Sequence, residues 1–172
     1  MAMCRSLLLL AVAVLVGCVH PPPPLPPGPS GLQRIVVEEP VNRTGGDLVV
    51  EGPGVFERLI GENPSSVPDV LAEDLRAQLE YRGFRLDKSK EDVPVFRTEI
   101  RRWDPYTADY AAVTVDIAIA LIEPGSGRTL WSATRSGWKV RTIDAHSRGE
   151  AFRLASAAIA EAVFEGWQPV AP

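Results

Sequence analysis

Cysteine and histidine, which often act as nucleophiles, bases or metal ligands, are scarce in this chain of 172 residues, with two of each. Asp144, His146 and Ser147 stand almost side by side, and together they contain the residue types of a hydrolase triad. Residues so close in sequence rarely reach that geometry, because a triad is recognised by the roles of its members in space. We therefore interpret His146 as part of a solvated loop ahead of a helix, and we expect the protein not to be an enzyme.

No other pattern indicates catalysis or a bound cofactor. The chain lacks the Gly-x-Ser-x-Gly turn of serine hydrolases and a glycine-rich phosphate loop between a strand and a helix. Its only cysteines are Cys4 and Cys18, and its only histidines are His20 and His146. These four residues exclude a Cys/His metal site in the mature domain. No cofactor is expected.

The N-terminus carries the clearest functional signal. Arg5 precedes an unbroken apolar run from Leu7 to Val16. At about 10 residues this run is too short to span a bilayer, which takes about 20, and it has the length of a signal-peptide core. The run ends in Leu15-Val16-Gly17-Cys18, which resembles the bacterial lipobox, where small residues precede an acylated cysteine. The resemblance implies a signal peptide over residues 1–17 and lipid attachment at Cys18. The alternative is an ordinary secretory peptide.

Acylation of Cys18 would hold the chain on a membrane without a spanning helix, because more than one acyl chain gives stable anchoring. Val19 follows the cysteine. The familiar signal for retention at the inner membrane is an aspartate at that position, so its absence favours the outer membrane. We expect a lipid-anchored protein of the cell envelope whose domain faces the periplasm.

The segment after Cys18 is rich in proline. Residues 20–31 read His-Pro-Pro-Pro-Pro-Leu-Pro-Pro-Gly-Pro-Ser-Gly and favour an extended polyproline II spacer of about 3.1 Å per residue. The alternative is a proline-rich ligand for a partner domain. We predict an acylated cysteine and tether over 18–31, a single domain over 32–168 and a C-terminal tail over 169–172.

Composition places this domain among ordinary globular proteins. Hydrophobic residues make up 45% of the chain and charged residues 23%, which suits one packed core. The formal net charge is −4, and the 18 basic residues form no continuous run. An acidic domain without a basic patch has no electrostatic attraction for nucleic acid, so none is expected as a partner.

Apolar periodicity predicts an α/β (α+β) domain. Strands are expected at 34–38, 84–86, 93–103, 111–122 and 129–140. With helices beginning near Ser66 and Ser147, the order is β-α-β-β-β-β-α. This order predicts one mixed sheet of about four to five strands with two main helices packed on one face. Residues 48–65 remain ambiguous between a strand and a helical turn.

Both helices have recognisable boundaries. Ser66 and Ser147 are each followed three positions later by an acidic residue, as in a capping box, and Gly83 and Gly166 supply the ends. The apolar stripe of the first helix consists of Val67, Val70, Leu71, Leu75 and Leu79. The carboxylates that lie mostly off this stripe are expected to be solvated: Glu73, Asp74 and Glu80.

Five aromatic residues concentrate around the strands and their connections: Trp103, Tyr106, Tyr110, Trp131 and Trp138. Aromatic side chains are enriched at binding hot spots, so these five are the candidate partner-binding residues. The alternative is an ordinary role in the core and sheet. Trp131 and Trp138 have opposite parity along their strand. At most one of them can therefore share the core face, unless a bulge intervenes.

Three short motifs carry a family resemblance. The first strand leads into Pro40-Val41-Asn42-Arg43-Thr44-Gly45, the first helix ends in Leu79-Glu80-Tyr81-Arg82-Gly83-Phe84, and residues 121–131 read Leu-Ile-Glu-Pro-Gly-Ser-Gly-Arg-Thr-Leu-Trp. Together they resemble small periplasmic lipoproteins of the curli-secretion and TolB N-terminal type. The last motif is also similar to lipopolysaccharide-assembly lipoproteins. The resemblance implies a non-enzymatic assembly or scaffold component.

We therefore expect a non-catalytic, membrane-anchored periplasmic lipoprotein. Its expected role is that of a scaffold or accessory binding component in outer-membrane assembly or transport, with an envelope protein as partner. The alternative is an auxiliary lipoprotein subunit of a lipid-transport ABC system, which genes for a permease and a substrate-binding partner beside this one would favour.

Overall fold

The computed structural model describes residues 24–51, 65–105 and 110–169. Within these ranges, two helices, α1 (Val67–Tyr81) and α2 (Arg148–Val163), accompany eight strands. The strands are β1 (Arg34–Val37), β2 (Val41–Asn42), β3 (Val49–Glu51), β4 (Ser65–Ser66), β5 (Arg85–Leu86), β6 (Val95–Pro105), β7 (Ala112–Ile122) and β8 (Thr129–Arg141). No helix in these ranges is long and apolar enough to cross a membrane.

The main sheet is mixed, as predicted. Its order is β5-β1-β6-β7-β8, and β2 pairs with β6 on the side where β1 also pairs. β1 is parallel to both β5 and β6, whereas β6, β7 and β8 are antiparallel. The predicted sequence of major elements is confirmed. The structure adds β2 and a separate two-stranded antiparallel sheet of β3 and β4, which precede α1 in the chain.

Strict alternation makes β7 the centre of the core. Val113, Val115, Ile117, Ile119 and Leu121 are all buried, as their period of two predicts. The even positions, apart from the buried Thr114, are only partly buried. The face of the sheet away from the helices is therefore more open than the face that they cover.

The connection between β5 and β6 builds a second, smaller core. Side chains alternate along β1, so Val36 lies on the opposite face from Ile35 and Val37, which join the main core. Val36 packs with Val93 and Val95 in a separate cluster. The segment that crosses from one side of β1 to the other is thus held against the sheet by apolar burial.

The start of α1 is the predicted capping box. The Ser66 hydroxyl accepts a hydrogen bond from the Asp69 backbone N–H at 3.3 Å, and the Asp69 carboxylate accepts one from the Ser66 backbone N–H at 3.2 Å. Gly83 follows the helix with φ of +90°, the conformation in which glycine ends helices. Four of the five predicted stripe residues are buried, and Val70 is partly buried.

Residues assigned to the tether already contact the domain. Leu25 packs against the main core, as does Leu32 at the expected start of the domain, and the Trp131 indole N–H donates a hydrogen bond to the Pro26 carbonyl at 3.3 Å. The packed structure therefore begins before the expected boundary at residue 32. We call residues 24–32 the strap.

A polar contact lies between the two helices. The Ser156 hydroxyl of α2 donates a hydrogen bond to the Asp74 carboxylate of α1 at 2.5 Å. Ser156 is fully buried and Asp74 is partly buried, so the prediction of a solvated Asp74 is wrong. The reason is the position of α2, which the pattern of α1 alone does not reveal. Burial raises the pKa of Asp74 despite the hydrogen bond from Ser156.

This contact predicts how stability depends on pH. Because the folded pKa of Asp74 lies above its unfolded value, the ionised carboxylate costs stability at high pH, and the cost disappears as pH falls below the unfolded value of about 3.9. Asp74→Asn keeps an acceptor for Ser156 and removes the charge. We expect it to melt at a higher temperature than the wild type at pH 7, with the difference closing by about pH 3.

The control for this experiment is Ser156→Ala. It leaves the half-buried carboxylate without its hydroxyl donor and should cost about 1–3 kcal/mol at pH 7. Thermal unfolding at several pH values measures both variants. An Asp74→Asn protein that is less stable than the wild type at every pH would contradict the account.

Candidate functional site

Trp103 lies in the interior and offers no surface to a partner. Its side chain is 0% exposed and packs edge-on against Phe152 of α2, with ring centroids 6.4 Å apart and planes at 89°. Burial of this large ring explains why β6 and α2 stay together. Trp103 therefore has a core role, which was the alternative to partner binding for the five aromatic residues.

Trp131 is also buried, at 7% exposure, but it lies at the edge of the core. Its ring meets that of Trp167 at a centroid distance of 5.0 Å and an angle of 83°. Trp167, which follows the end of α2, also contacts Phe96 and Phe164. Sequence reasoning missed Trp167 and the strap that covers this pair. The available signal was Leu25, an isolated apolar residue within the proline run.

A bulge decides the position of Trp138. The Gly137 backbone N–H donates a hydrogen bond to the Asp116 carboxylate, and Gly137 has φ of +64°. The register shifts at this point, so that Trp138 lies opposite Val115 while Trp131 lies opposite Leu121. Both tryptophans therefore share the core-facing row. Their opposite parity allows both tryptophans to face the core only if a bulge lies between them, and the structure contains that bulge.

Trp138 and Tyr110 are the predicted aromatic residues that keep some exposure. Both are partly buried and pack at the margin of the core. Tyr110 precedes β7 with φ of +59°, and its carbonyl accepts a hydrogen bond from the Thr142 hydroxyl at 2.5 Å. Ile143, which follows Thr142 in the chain, is 69% exposed. Tyr106 lies outside the described residues.

The long strand β8 forms one edge of the sheet. Within the described ranges no strand pairs with its outer side. Its 13 residues include three basic residues, Arg135, Lys139 and Arg141, and no acidic one. The strand itself is therefore basic, although the Asp116 carboxylate of β7 lies beside it at Gly137. We call Arg135–Arg141 the basic edge. Sequence reasoning missed it because three scattered cations do not make a run. The available signal was the absence of acidic residues in the strand predicted at 129–140.

A groove of about 610 Å³ lies at the carboxyl end of β1, but its charges satisfy one another. It is lined by Val36, Val37, Glu38, Glu39, Arg76, Asp87, Lys88 and Lys90. The Glu38 carboxylate accepts hydrogen bonds from Lys90 Nζ at 2.6 Å and from Arg97 Nε at 2.7 Å. Although burial raises its pKa, these two cations lower it below the ordinary value. The groove has no excess charge that calls for a ligand.

The residues considered for catalysis lie at the start of α2. No group of three or more His, Cys, Asp or Glu side chains within the described ranges could hold a metal ion. The Ser147 hydroxyl accepts from the Glu150 backbone N–H at 3.1 Å, and the Glu150 carboxylate accepts from the His146 backbone N–H at 2.7 Å. These residues are thus engaged in starting α2.

Comparisons with known proteins bear on the fold alone. No family model matches the chain, and no curated protein matches it in sequence. Protein XCC0632 of Xanthomonas campestris, of family DUF330, is similar over 86% of this chain and 91% of that chain, with 18% identity and a TM-score of 0.51. The two proteins therefore share a fold.

Two further solved structures have lower scores. The PelC dodecamer of Paraburkholderia phytofirmans matches 85% of this chain and 96% of its own, with 21% identity and a TM-score of 0.42. Lipoprotein GNA1162 of Neisseria meningitidis matches 73% of this chain and 94% of its own, with 15% identity and a TM-score of 0.40. The resemblance to the curli-secretion and TolB N-terminal group stays a prediction.

The bulge generates a stability prediction. A side chain at Gly137 would meet no atom within 4 Å, so Gly137→Ala tests the left-handed backbone alone. We expect it to lower the free energy of unfolding by about 1–2 kcal/mol, the cost of that conformation for a residue with a Cβ. Gly46→Ala is the control, because Gly46 is equally open and does not have positive φ. Equal stability of the two variants in urea unfolding would contradict this account of the bulge.

Proposed function

We propose that the protein is a non-catalytic lipoprotein of the bacterial envelope, anchored through acylated Cys18 and exposed to the periplasm. Its role is that of a scaffold or accessory binding component in outer-membrane assembly or transport. The observation that carries the proposal is the lipobox-like sequence Leu15–Cys18 at the end of a short apolar run. The proline run that follows leads directly into the strap on the domain.

The non-catalytic part of the proposal rests on the use of the reactive side chains. Cys18 is consumed by the anchor, while His146 and Ser147 lie where α2 begins. The Ser156–Asp74 pair lies between the two helices, with Ser156 fully buried and so out of reach of a substrate. The domain is therefore proposed to act by binding other molecules at its surface.

The basic edge is the surface that we assign to the protein partner. An exposed strand edge can take up an extended segment of another chain, which gains main-chain hydrogen bonds along its length. Arg135, Lys139 and Arg141 add an electrostatic preference for an acidic segment. Trp138 adds partly exposed aromatic area between them. The partner is therefore an envelope protein with an acidic extended segment.

The anchor is tested by metabolic labelling with a radioactive fatty acid and by membrane fractionation. We expect Cys18→Ser to abolish incorporation of the fatty acid. The protein should then either keep its signal peptide or be released from the membrane fraction. Cys4→Ser is the matched control, because Cys4 lies in the part of the leader that is removed. Labelling and membrane association of Cys18→Ser at the wild-type level would overturn the proposal.

The partner surface is tested in living cells with a photo-crosslinking residue at Thr134, an exposed position of β8. Adducts should map to an acidic segment of an envelope protein. Reversal of two cations, Lys139→Glu with Arg141→Glu, should reduce their yield at least tenfold because it replaces attraction by repulsion. Lys88→Glu, a reversal at an exposed site away from β8, should leave the yield unchanged.

Two other outcomes would redirect the proposal. Adducts to a permease or substrate-binding protein of a lipid transporter would select the ABC-system alternative. Adducts of equal yield in the double reversal would show that the basic edge is not the contact. A hydrolytic activity that His146→Ala removes would contradict the non-catalytic role.

A further inference from the structure

The strap is bound to the domain at several points along its length. Leu25 and Leu32, near its two ends, pack against the main core. Between them, the Pro26 carbonyl accepts the hydrogen bond from Trp131 Nε1. A segment held by apolar contacts at both ends and by a polar contact within has a defined place on the domain, rather than the freedom of a spacer.

Gly28 shows how closely the strap approaches the aromatic pair. A Cβ built on Gly28 would lie 2.5 Å from Cγ and Cδ1 of Trp167, closer than real Cβ atoms come to any neighbour. Trp167 is itself 3% exposed, so its ring has little room to withdraw. Glycine is thus required where the strap backbone passes the indole face.

The chemistry of this contact is that of polyproline recognition. Aromatic grooves bind proline-rich segments in the extended conformation, whose ordering costs little entropy. Here Trp131 and Trp167 form the aromatic surface, and residues 24–32 of the same chain supply the ligand. The proline run is therefore both a connection to the anchor and a ligand of the domain.

The strap leaves the domain at a defined end. Trp131 is near the start of β8, next to the β7–β8 connection, and Trp167 follows the end of α2. The beginnings of both helices belong to the opposite end. The helix α2 begins soon after β8 reaches that end, and α1 finishes at the strap end, where it leads into β5, a strand parallel to β1 as β6 is. We call these the strap end and the helix-start end of the domain.

The distance from the anchor to the strap end is limited by covalent geometry. Cys18 and Leu25 are seven positions apart, and a fully extended chain covers at most about 3.6 Å per residue. Leu25 can therefore lie no more than about 25 Å from the acylated residue. The strand β8, with 13 residues at about 3.3 Å each, extends roughly 40 Å from one end of the domain to the other.

We propose that the docked strap orients the domain on the membrane, with the strap end towards the lipid and the helix-start end towards the periplasm. The inference rests on the proposed anchor at Cys18. Tyr81, at the end of α1 and so at the strap end, is 86% exposed and suits a membrane–water interface. The surface around Tyr110 and Ile143 then faces away from the membrane.

The orientation is tested on the lipidated protein in vesicles of phosphatidylcholine and phosphatidylglycerol. Because Cys18 is acylated and Cys4 is removed, one introduced cysteine is the sole free thiol. Thr129→Cys at the strap end and Asp144→Cys at the helix-start end are both at exposed sites. Each carries a donor dye, and the acceptor is a dye on lipid headgroups. We expect energy transfer from position 129 to be at least threefold more efficient than from position 144.

Gly28→Ala tests the role of the strap in the same vesicles. The added methyl group cannot fit against Trp167, so the strap should detach and the difference between positions 129 and 144 should fall below about twofold. Acrylamide quenching of tryptophan fluorescence, measured on the same lipidated protein, should increase, because the detached strap no longer covers Trp131 and Trp167. Gly46→Ala, which adds a methyl group in open space, should change neither measurement.

The results separate this inference from the proposed function. Equal energy transfer from positions 129 and 144 in the wild type would overturn the orientation while leaving the anchor intact. Equal acrylamide quenching of tryptophan fluorescence in the wild type and in Gly28→Ala would overturn the docking. Failure of Cys18 to be acylated would overturn the proposed function itself, and tryptophan quenching would still report on docking.

Discussion

The contact between Trp131 and Trp167 joins three parts of the chain that the sheet alone would leave separate. Trp131 belongs to β8, Trp167 follows α2, and the strap lies over both. Edge-to-face aromatic pairs contribute about 0.5–1.5 kcal/mol beyond the area that they bury, and Trp167 makes further ring contacts with Phe84, Phe96 and Phe164. The place where the tether meets the domain is therefore set by the core.

The sheet has one covered face and one long edge, and this asymmetry separates stability from binding. The helices bury the apolar row of β7 and leave the other face more open. A strand edge of 13 residues risks pairing with another copy of itself. The bulge at Gly137 and the like charges of the basic edge oppose such self-pairing, since two identical edges would repel. The same charges leave the edge able to accept an acidic strand.

Much of the fold follows from local sequence signals. The period of two in residues 111–122 predicts β7, and the Ser66 and Gly83 signals predict the ends of α1, because these features depend on nearby residues alone. The strands β2 and β4 have only two residues each and carry no such period. The half-buried position of Asp74 depends on where α2 packs, which no pattern within α1 contains.

The surfaces were harder to predict than the core, because they depend on contacts between residues that are distant in sequence. The parity of Trp131 and Trp138 is readable from the sequence, but the bulge that cancels it depends on Asp116, 21 positions from Gly137. The contact of Gly28 with Trp167 joins residues from the N-terminal and C-terminal parts of the sequence, so no local pattern reveals it. The charge of the basic edge becomes meaningful only once β8 is known to lie at the margin of the sheet.

The most direct test of the account is the mass of the N-terminal peptide of the protein purified from membranes. Acylation of Cys18 predicts a peptide that begins at Cys18 and carries a thioether-linked diacylglycerol, with or without an amide-linked acyl chain. An unmodified peptide that begins at another residue would contradict the anchor. The membrane orientation derived from it would then have no basis.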